Sequence, residues 1–292
     1  MLRPLLLSAP AAVLATPAFA ENAASPIWTR WFGEPVVEVL LAILLAVYLA
    51  GIAEMLSRRH RKWPVGKTRV ATFLFAIGVI GLALLSPIDA LSDELFSVHM
   101  LQHLMLILAA APLFAFSNAH LVMLRAFPVA SRRVLGHAVA AIPGVRQAAH
   151  KRASAWIAAA AFVATMWFWH VPAAYDWALD NEAVHVWEHL TLLAAATFFW
   201  RIILTSGDRR LSPGMAVVLV SLVGIQGAFL SALIMFASHP LYGAYAGNPL
   251  DDQVLAGVLM CIPASFVYLG STIWALWRML GNSRLRVYDG EA

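Results

Sequence analysis

The residues best suited to chemistry in this sequence are two pairs of histidines. His99 and His103 lie four positions apart, as do His185 and His189. Side chains at this spacing are neighbours on one face of a helix, so each pair can chelate a single metal ion. Two pairs on facing helices would together supply three or four ligands, and neutral imidazole suits zinc, copper and iron. The spacing therefore predicts a metal site if the two helices face each other.

Other candidate ligands accompany these pairs. Glu188 directly precedes His189, and three roles are open to it: metal ligand, partner that orients an imidazole, or proton acceptor. His170 and His239 are predicted to lie at the same depth as the two pairs, near one boundary of the membrane that the apolar runs described below would cross. Thioether and thiolate ligands shift the preference toward cuprous copper, and the sequence places four of them near that boundary: Met100, Met235, Met260 and Cys261. A site that combined histidine with methionine would favour copper.

Each of these residues also has an ordinary structural explanation. Histidine is common at membrane interfaces, where it hydrogen-bonds to headgroups and helix ends, and methionine is a common packing residue. Asp251 and Asp252 precede a predicted helix, whose free N–H groups a carboxylate can cap. A single histidine pair would be weak evidence, and it is the presence of two pairs that favours a metal site.

Seven apolar runs are expected to position these residues. Each is close to the length of about 20 residues that a helix needs to cross a bilayer. The segment 120–150 separates the third run from the fourth and is expected to be a long loop with short amphipathic helices. The runs lie at 36–56, 70–86, 96–116, 153–170, 184–204, 214–235 and 254–277.

A further segment precedes the seven runs. Met1 to Ala20 has a basic start, an apolar middle and a small-residue end, the pattern of a cleavable signal peptide. The predicted fold is therefore an all-α membrane protein in which residues 1–20 form the signal peptide. Residues 21–292 are predicted to form a bundle of seven transmembrane helices.

The charged residues predict how this bundle is oriented. Alternate loops carry all the lysines and arginines except Arg3 and Arg30, and the positive-inside rule places those loops in the cytoplasm. The opposite loops are acidic and include Asp93, Asp180 and Asp251. The chain is thus predicted to be a multi-pass protein of the bacterial inner membrane, with its mature N-terminus outside and its C-terminus in the cytoplasm. Both histidine pairs then lie near the outer face.

The composition excludes several other classes of protein. The 292-residue chain is 61% hydrophobic and 12% charged, well below the charged share of about 25% in soluble domains. Its net charge of +4 is explained by the basic loops, so we expect no nucleic-acid partner. Cys261 is its one cysteine, which rules out an intrachain disulfide and a CxxC motif. The sequence contains no phosphate-binding loop, nucleophile elbow or dinucleotide fingerprint.

Four separated motifs carry a family resemblance. They are Ser97-Val98-His99-Met100-Leu101-Gln102-His103-Leu104, Trp169-His170-Val171-Pro172 with Tyr175-Asp176, His185 with Glu188-His189, and Asp252-Gln253 with Ala256-Gly257 and Met260 to Pro263. In this order they resemble the polytopic CtaG family of cytochrome c oxidase assembly factors, which is associated with caa-type oxidases. The resemblance covers about residues 30–280. It implies a role in maturing a haem–copper oxidase at a copper centre.

The resemblance also selects among the polar residues. It supports as metal ligands His99, Met100, His103, His170, His185, Glu188 and His189. His239 and Cys261 match it less clearly. We therefore expect an assembly factor that binds or delivers copper at its outer face, with the lipid bilayer and oxidase subunits as partners. Two alternatives are an intramembrane metal enzyme of the zinc hydrolase or di-iron oxidase type, and a metal-free scaffold for an oxidase subunit.

Overall fold

A computed structural model describes residues 26–58, 65–141, 151–204, 211–245 and 250–290. Within these ranges the chain is helical and contains no strand, which confirms the predicted all-α class. The predicted signal peptide, residues 1–20, lies outside the described residues.

The helices follow the apolar runs closely. We number them α1 Pro35–Arg58, α2 Lys67–Leu84, α3 Pro87–Ser92, α4 Phe96–Leu104, α5 Ala111–Ser117, α6 Ala119–Met123, α7 Val129–Ala141, α8 Lys151–Trp169, α9 Pro172–Leu179, α10 Glu182–Leu204, α11 Pro213–Met235 and α12 Leu250–Gly290. A π-helical segment, Met105–Ala110, joins α4 to α5, and short 3₁₀ turns cover Ile27–Thr29, Leu124–Ala126 and Gly243–Tyr245. The described part of 120–150 holds short helices, as expected from the sequence.

The described residues support five or six membrane spans, so the predicted number of seven is not confirmed. In the described ranges, five helical stretches are long and apolar enough to cross a membrane: Pro35–Ser57, Lys67–Leu84, Phe96–Ser117, Pro213–Met235 and Leu250–Leu280. A sixth span results if Ser154–Trp169 and Pro172–Leu179, which meet at an angle of 73°, are counted together. Helix α10 coincides with the fifth predicted run but is not among these spans. Its first turns carry histidine and glutamate where a lipid-facing helix would carry apolar residues.

The π-helical segment interrupts the third span just beyond the first histidine pair. A π turn widens the helix and shifts its backbone hydrogen bonds, and such turns are frequent at functional sites. The carbonyl of Ile107 accepts a hydrogen bond of 2.9 Å from Trp200 Nε1 on α10. Trp200 is buried, so this bond satisfies two polar groups in an apolar environment and fixes the span against α10.

Close packing between α11 and α12 depends on a glycine. A Cβ atom at Gly257 would lie 2.8 Å from Met235 Cβ and 2.9 Å from the Ser231 carbonyl oxygen. Real Cβ atoms do not approach other atoms so closely, so only glycine allows the two helices to meet here. Met260 follows about one turn along α12 and is buried in the main apolar core. The glycine therefore sets how deeply this methionine enters the bundle.

Candidate metal centre

The two histidine pairs converge at one end of the bundle. Within each pair the ring centroids are 4.4 Å apart. Between the pairs, the His99 and His185 rings lie 5.2 Å apart, as do those of His103 and His189. Helices α4 and α10 are thus neighbours and each presents one pair to the other, which is the arrangement that a shared metal site requires. We call these four residues and Glu188 the histidine cluster.

The cluster is closely packed and largely shielded from solvent. Nε2 of His99 lies 3.0 Å from Nε2 of His103, and Nε2 of His103 lies 3.6 Å from Oε1 of Glu188. Glu188 is a carboxylic acid, yet it is 0% exposed. Such a group is costly to bury unless it is paired or binds a metal.

Several ligand atoms of the cluster have no hydrogen-bond partner. They are Nδ1 of His103, Nε2 of His185, Nε2 of His189 and both carboxylate oxygens of Glu188. A buried polar atom without a partner costs about 1–3 kcal/mol, and native proteins contain few of them. Five such atoms in one group indicate that the cluster is built to receive something that accepts their lone pairs.

The cluster fits a metal ion. Two sets of three ligand atoms lie within 4.8 Å of one another, one from His99, His103 and His189 and one from His99, His185 and Glu188. Two ligands of a tetrahedral ion at about 2.0–2.1 Å are about 3.3–3.4 Å apart. The observed separations, from 3.0 Å upward, reach that geometry through small side-chain rotations. The metal role of these residues stays a prediction, which the donor set supports.

Tyr245 determines which nitrogen of His99 can bind a metal. Its hydroxyl donates to the backbone carbonyl of Ser92 and also lies 3.3 Å from Nδ1 of His99. Because the single phenolic proton goes to the carbonyl, the phenolic oxygen must accept a hydrogen bond from Nδ1–H of His99. That assigns the lone pair to Nε2, the nitrogen that faces His103. A partner that fixes the tautomer in this way is typical of metal-binding histidines.

Asp252 lies far from α4 in the sequence but holds the start of that helix in place. Its carboxylate accepts hydrogen bonds from the backbone N–H groups of Phe96 at 2.8 Å and Ser97 at 3.3 Å. The sequence indicated that this carboxylate could cap the helix it precedes. It lies instead in the first turn of α12 and caps α4, the helix that carries His99 and His103. The carboxylate therefore joins the first turn of α12 to the first turn of α4.

Gln102, the neighbour of His103 in α4, connects this helix to nearby acidic groups. Gln102 donates hydrogen bonds to the Ala83 carbonyl at 2.9 Å and to Asp89 Oδ1 at 2.7 Å. Burial raises the pKa of Asp89 to about 7, although the bond from Gln102 opposes this shift. Burial also raises the pKa of Glu34 to about 7, and the nearby carboxylates of Glu182 and Asp93 add to it.

Two of the seven predicted ligands lie beside the cluster instead of inside it. The ring of His170 is 6.3 Å from that of His103, and its Nδ1 lies 2.7 Å from the Met166 carbonyl. Met100 is buried and lines a small cavity together with His103 and His170. His239 is exposed, and Cys261 is half-buried and outside both metal-competent groups.

Sequence patterns did not reveal the tyrosines that close the site. Tyr242 donates to the His170 carbonyl at 3.2 Å, and the rings of Tyr242 and Tyr245 both pack against Phe96. Asp176 holds their loop by accepting hydrogen bonds from the backbone of Gly243 and Ala244 at 3.1 and 3.3 Å. The one available signal was the presence of these aromatic residues in a short loop next to the Asp252-Gln253 motif.

Comparison with known proteins places this site in context. The family model described as cytochrome c oxidase caa3 assembly factor (Caa3_CtaG) matches residues 46–282. The uncharacterized proteins Mb0105 of Mycobacterium bovis and MT0111 of Mycobacterium tuberculosis are each 26% identical over 230 residues, in an alignment that covers 73% of this chain. The match covers 32% of each mycobacterial protein, so this chain spans about a third of their length. No solved structure matches the chain.

Proposed function

The chain belongs to the cytochrome c oxidase caa3 assembly factor family, and from that premise we propose that it binds copper at the histidine cluster and delivers it to a haem–copper oxidase. One observation carries the proposal. Five side chains from two helices bring buried ligand atoms together, and five of those atoms have no hydrogen-bond partner. The family supplies the setting of oxidase assembly, and copper is the cargo that an assembling haem–copper oxidase requires.

The chemistry of the donors supports this role. Neutral imidazoles bind copper well, and Glu188 offers a carboxylate that would offset one positive charge of the ion. Offsetting charge matters at this depth, because an unpaired charge inside a membrane is costly. Tyr245 orients His99, and Asp252 anchors the start of α4. The chain therefore positions the ligands before the ion arrives.

A titration with Cu(I) under anaerobic conditions tests the proposal. We expect the purified wild-type protein to compete with a chromogenic copper chelator. Replacing His99 and His103 together with alanine, or His185 and His189 together, should weaken binding about 100-fold or more, since the loss of a mere supporting partner already costs about 10–100-fold. His239→Ala is the matched control, because that histidine is exposed and lies outside the cluster. Equal affinity in all four proteins would refute copper binding at the cluster.

A second function is favoured by one specific feature. The buried Glu188 carboxylate, 3.6 Å from His103 Nε2, resembles the acid–base group of a metal-dependent enzyme such as a zinc hydrolase or a di-iron oxidase. The identity of the metal separates the two functions. Copper in the isolated protein supports the assembly role, and zinc or iron supports the enzyme.

We further propose that the chain lies in the bacterial inner membrane with the histidine cluster toward the periplasm, its N-terminus outside and its C-terminus in the cytoplasm. The support is the sequence pattern of basic and acidic loops, since basic loops favour the cytoplasm. Single cysteines that replace Asp93, Asp180 or Arg133 in a Cys261→Ser background would test this in spheroplasts. An impermeant maleimide should label the first two positions and leave the third unlabelled. Labelling at position 133 alone would show that the orientation is the reverse of the one proposed.

A further inference from the structure

We propose that three methionines and His170 form a second metal site, specific for Cu(I), directly beside the histidine cluster. The proposal rests on the proposed copper-binding function and extends it, because it adds a second, softer site to the same route. Its elements are the side chains of Met100, Met166, Met260 and His170 and the small cavity that they enclose.

The cavity lies in the interior of the bundle, where four helices meet. Its volume is about 30 Å³, which exceeds the roughly 10–15 Å³ that a cavity needs to hold one water molecule. Met100 comes from α4, Met166 from α8 and Met260 from α12, and all three are buried. Ser231 on α11 closes the wall, and its hydroxyl donates to the Gly227 carbonyl at 2.8 Å. Three methionines from three different helices therefore line one space.

His170 lines the same cavity and has a buried ring nitrogen that no protein group satisfies. Its Nδ1 lies 2.7 Å from the Met166 carbonyl oxygen, and a carbonyl can only accept a hydrogen bond. Nδ1 must therefore carry the ring proton, and the lone pair must be on Nε2. That Nε2 atom is buried and has no hydrogen-bond partner. A single hydrogen bond thus fixes the tautomer that leaves Nε2 able to bind a metal.

Ordinary packing does not account for this arrangement. Methionine is flexible and usually fills irregular gaps in a core, yet here three methionines surround a gap that stays open. An apolar core also has no reason to bury an imidazole nitrogen without a hydrogen-bond partner, as His170 does here. A metal ion would satisfy that nitrogen and occupy the space at the same time.

The donor set favours Cu(I) over divalent ions. Thioethers are soft ligands that bind cuprous copper and bind zinc poorly. All four donors are neutral, so the ion brings only one positive charge into an apolar interior, where each further charge would be costly. Binding also releases no proton, since thioethers carry none and His170 Nε2 is already unprotonated. His103 belongs to the histidine cluster and also lines this cavity, so the two sites share a wall.

Copper loading of the purified full-length protein tests the inference. The probe is Cu(I) supplied as its acetonitrile complex without oxygen, followed by desalting, copper analysis and X-ray absorption at the copper edge. The wild-type protein should retain two ions per chain and show sulfur ligands. The triple variant Met100→Leu, Met166→Leu and Met260→Leu should retain one ion and show nitrogen or oxygen ligands alone. These substitutions nearly conserve side-chain volume, and Met235→Leu is the control because Met235 does not line the cavity.

The outcomes separate this inference from the proposed function. A variant with His185→Ala and His189→Ala should keep one sulfur-bound ion, which would establish the methionine site independently of the cluster. A wild-type protein that binds one ion through nitrogen and oxygen alone would overturn the methionine site and leave the cluster intact. So would a triple methionine variant that retains two ions. If the wild-type protein binds no copper, the proposed function and this inference both fail.

Discussion

Replacing Tyr245 with phenylalanine should weaken metal binding at the histidine cluster without removing any ligand. The hydroxyl of Tyr245 accepts the Nδ1 proton of His99 at 3.3 Å and donates to the Ser92 carbonyl. Without it, the tautomer that presents His99 Nε2 is no longer fixed. Loss of such a supporting partner typically costs about 10–100-fold in metal affinity. Because 3.3 Å is a long hydrogen bond, we expect the lower end, about tenfold or about 1.4 kcal/mol.

Tyr242→Phe is the matched control for this change. Tyr242 is also buried and packs on Phe96, but its hydroxyl donates to the backbone carbonyl of His170 and contacts no ring of the cluster. Each variant loses one hydrogen bond to a backbone carbonyl, worth about 1 kcal/mol of stability, and Tyr245→Phe also loses the bond from His99 Nδ1. Only the change at Tyr245 should reduce affinity, as measured by chelator competition for the first Cu(I) ion bound. Equal affinities in the two variants would refute the tautomer argument.

Three further predictions concern the cell, the fold and pH. His189→Ala should lower active oxidase in the membrane while leaving the abundance of this chain largely intact, and added copper should partly restore activity because occupancy rises with free metal; His239→Ala should have no effect on oxidase activity. Asp252→Ala should lower the free energy of unfolding by about 0.5–2 kcal/mol, because α4 loses its cap. Asp251→Ala is the control and should change stability little, since Asp251 is exposed. Similar melting temperatures in the two variants would contradict the capping role. The folded protein raises the pKa of Glu34 from 4.5 to about 7, so it holds a proton that the unfolded chain has lost, and melting temperature should fall as pH rises through this interval. Glu34→Gln should flatten that fall, and an unchanged pH profile would show that this carboxyl is not responsible.

The elements and the paired histidines could be predicted because they depend on short-range spacing. Apolar runs identify helices by length, and residues four positions apart must share a helix face wherever the helix packs. The bend of 73° between α8 and α9 also has a local cause. His170 and Val171 separate the two helices, and Pro172 begins the second. The π-helical segment at Met105–Ala110 has no comparable signal, since its sequence is uniformly apolar.

The separation of Met100 from the histidine cluster follows from helical geometry. Successive residues on an α-helix point about 100° apart, so Met100 cannot share the face of its neighbour His99. The sequence placed both residues at one membrane depth but did not determine which neighbouring helices each would meet. Met100 meets α8 and α12 at the cavity, and His99 meets α10.

The contacts that complete the site could not be predicted, because they join distant parts of the chain. The hydroxyl of Tyr245 and the ring of His99 are 146 positions apart, and the Asp252 carboxylate caps a backbone group 156 positions away. Local spacing indicated that Asp252 could cap a helix, and this was correct in kind. Only the packing of α12 against α4 decides which helix it caps.

Metal analysis of the protein as isolated from copper-replete cells tests the central claim most directly. We expect copper in the wild-type protein and its loss when His99, His103, His185 and His189 are all replaced by alanine, with the variant still present in the membrane as a folded monodisperse protein. Wild-type protein that contains no metal would contradict metal binding at the cluster, and so would a variant that retains the full copper content.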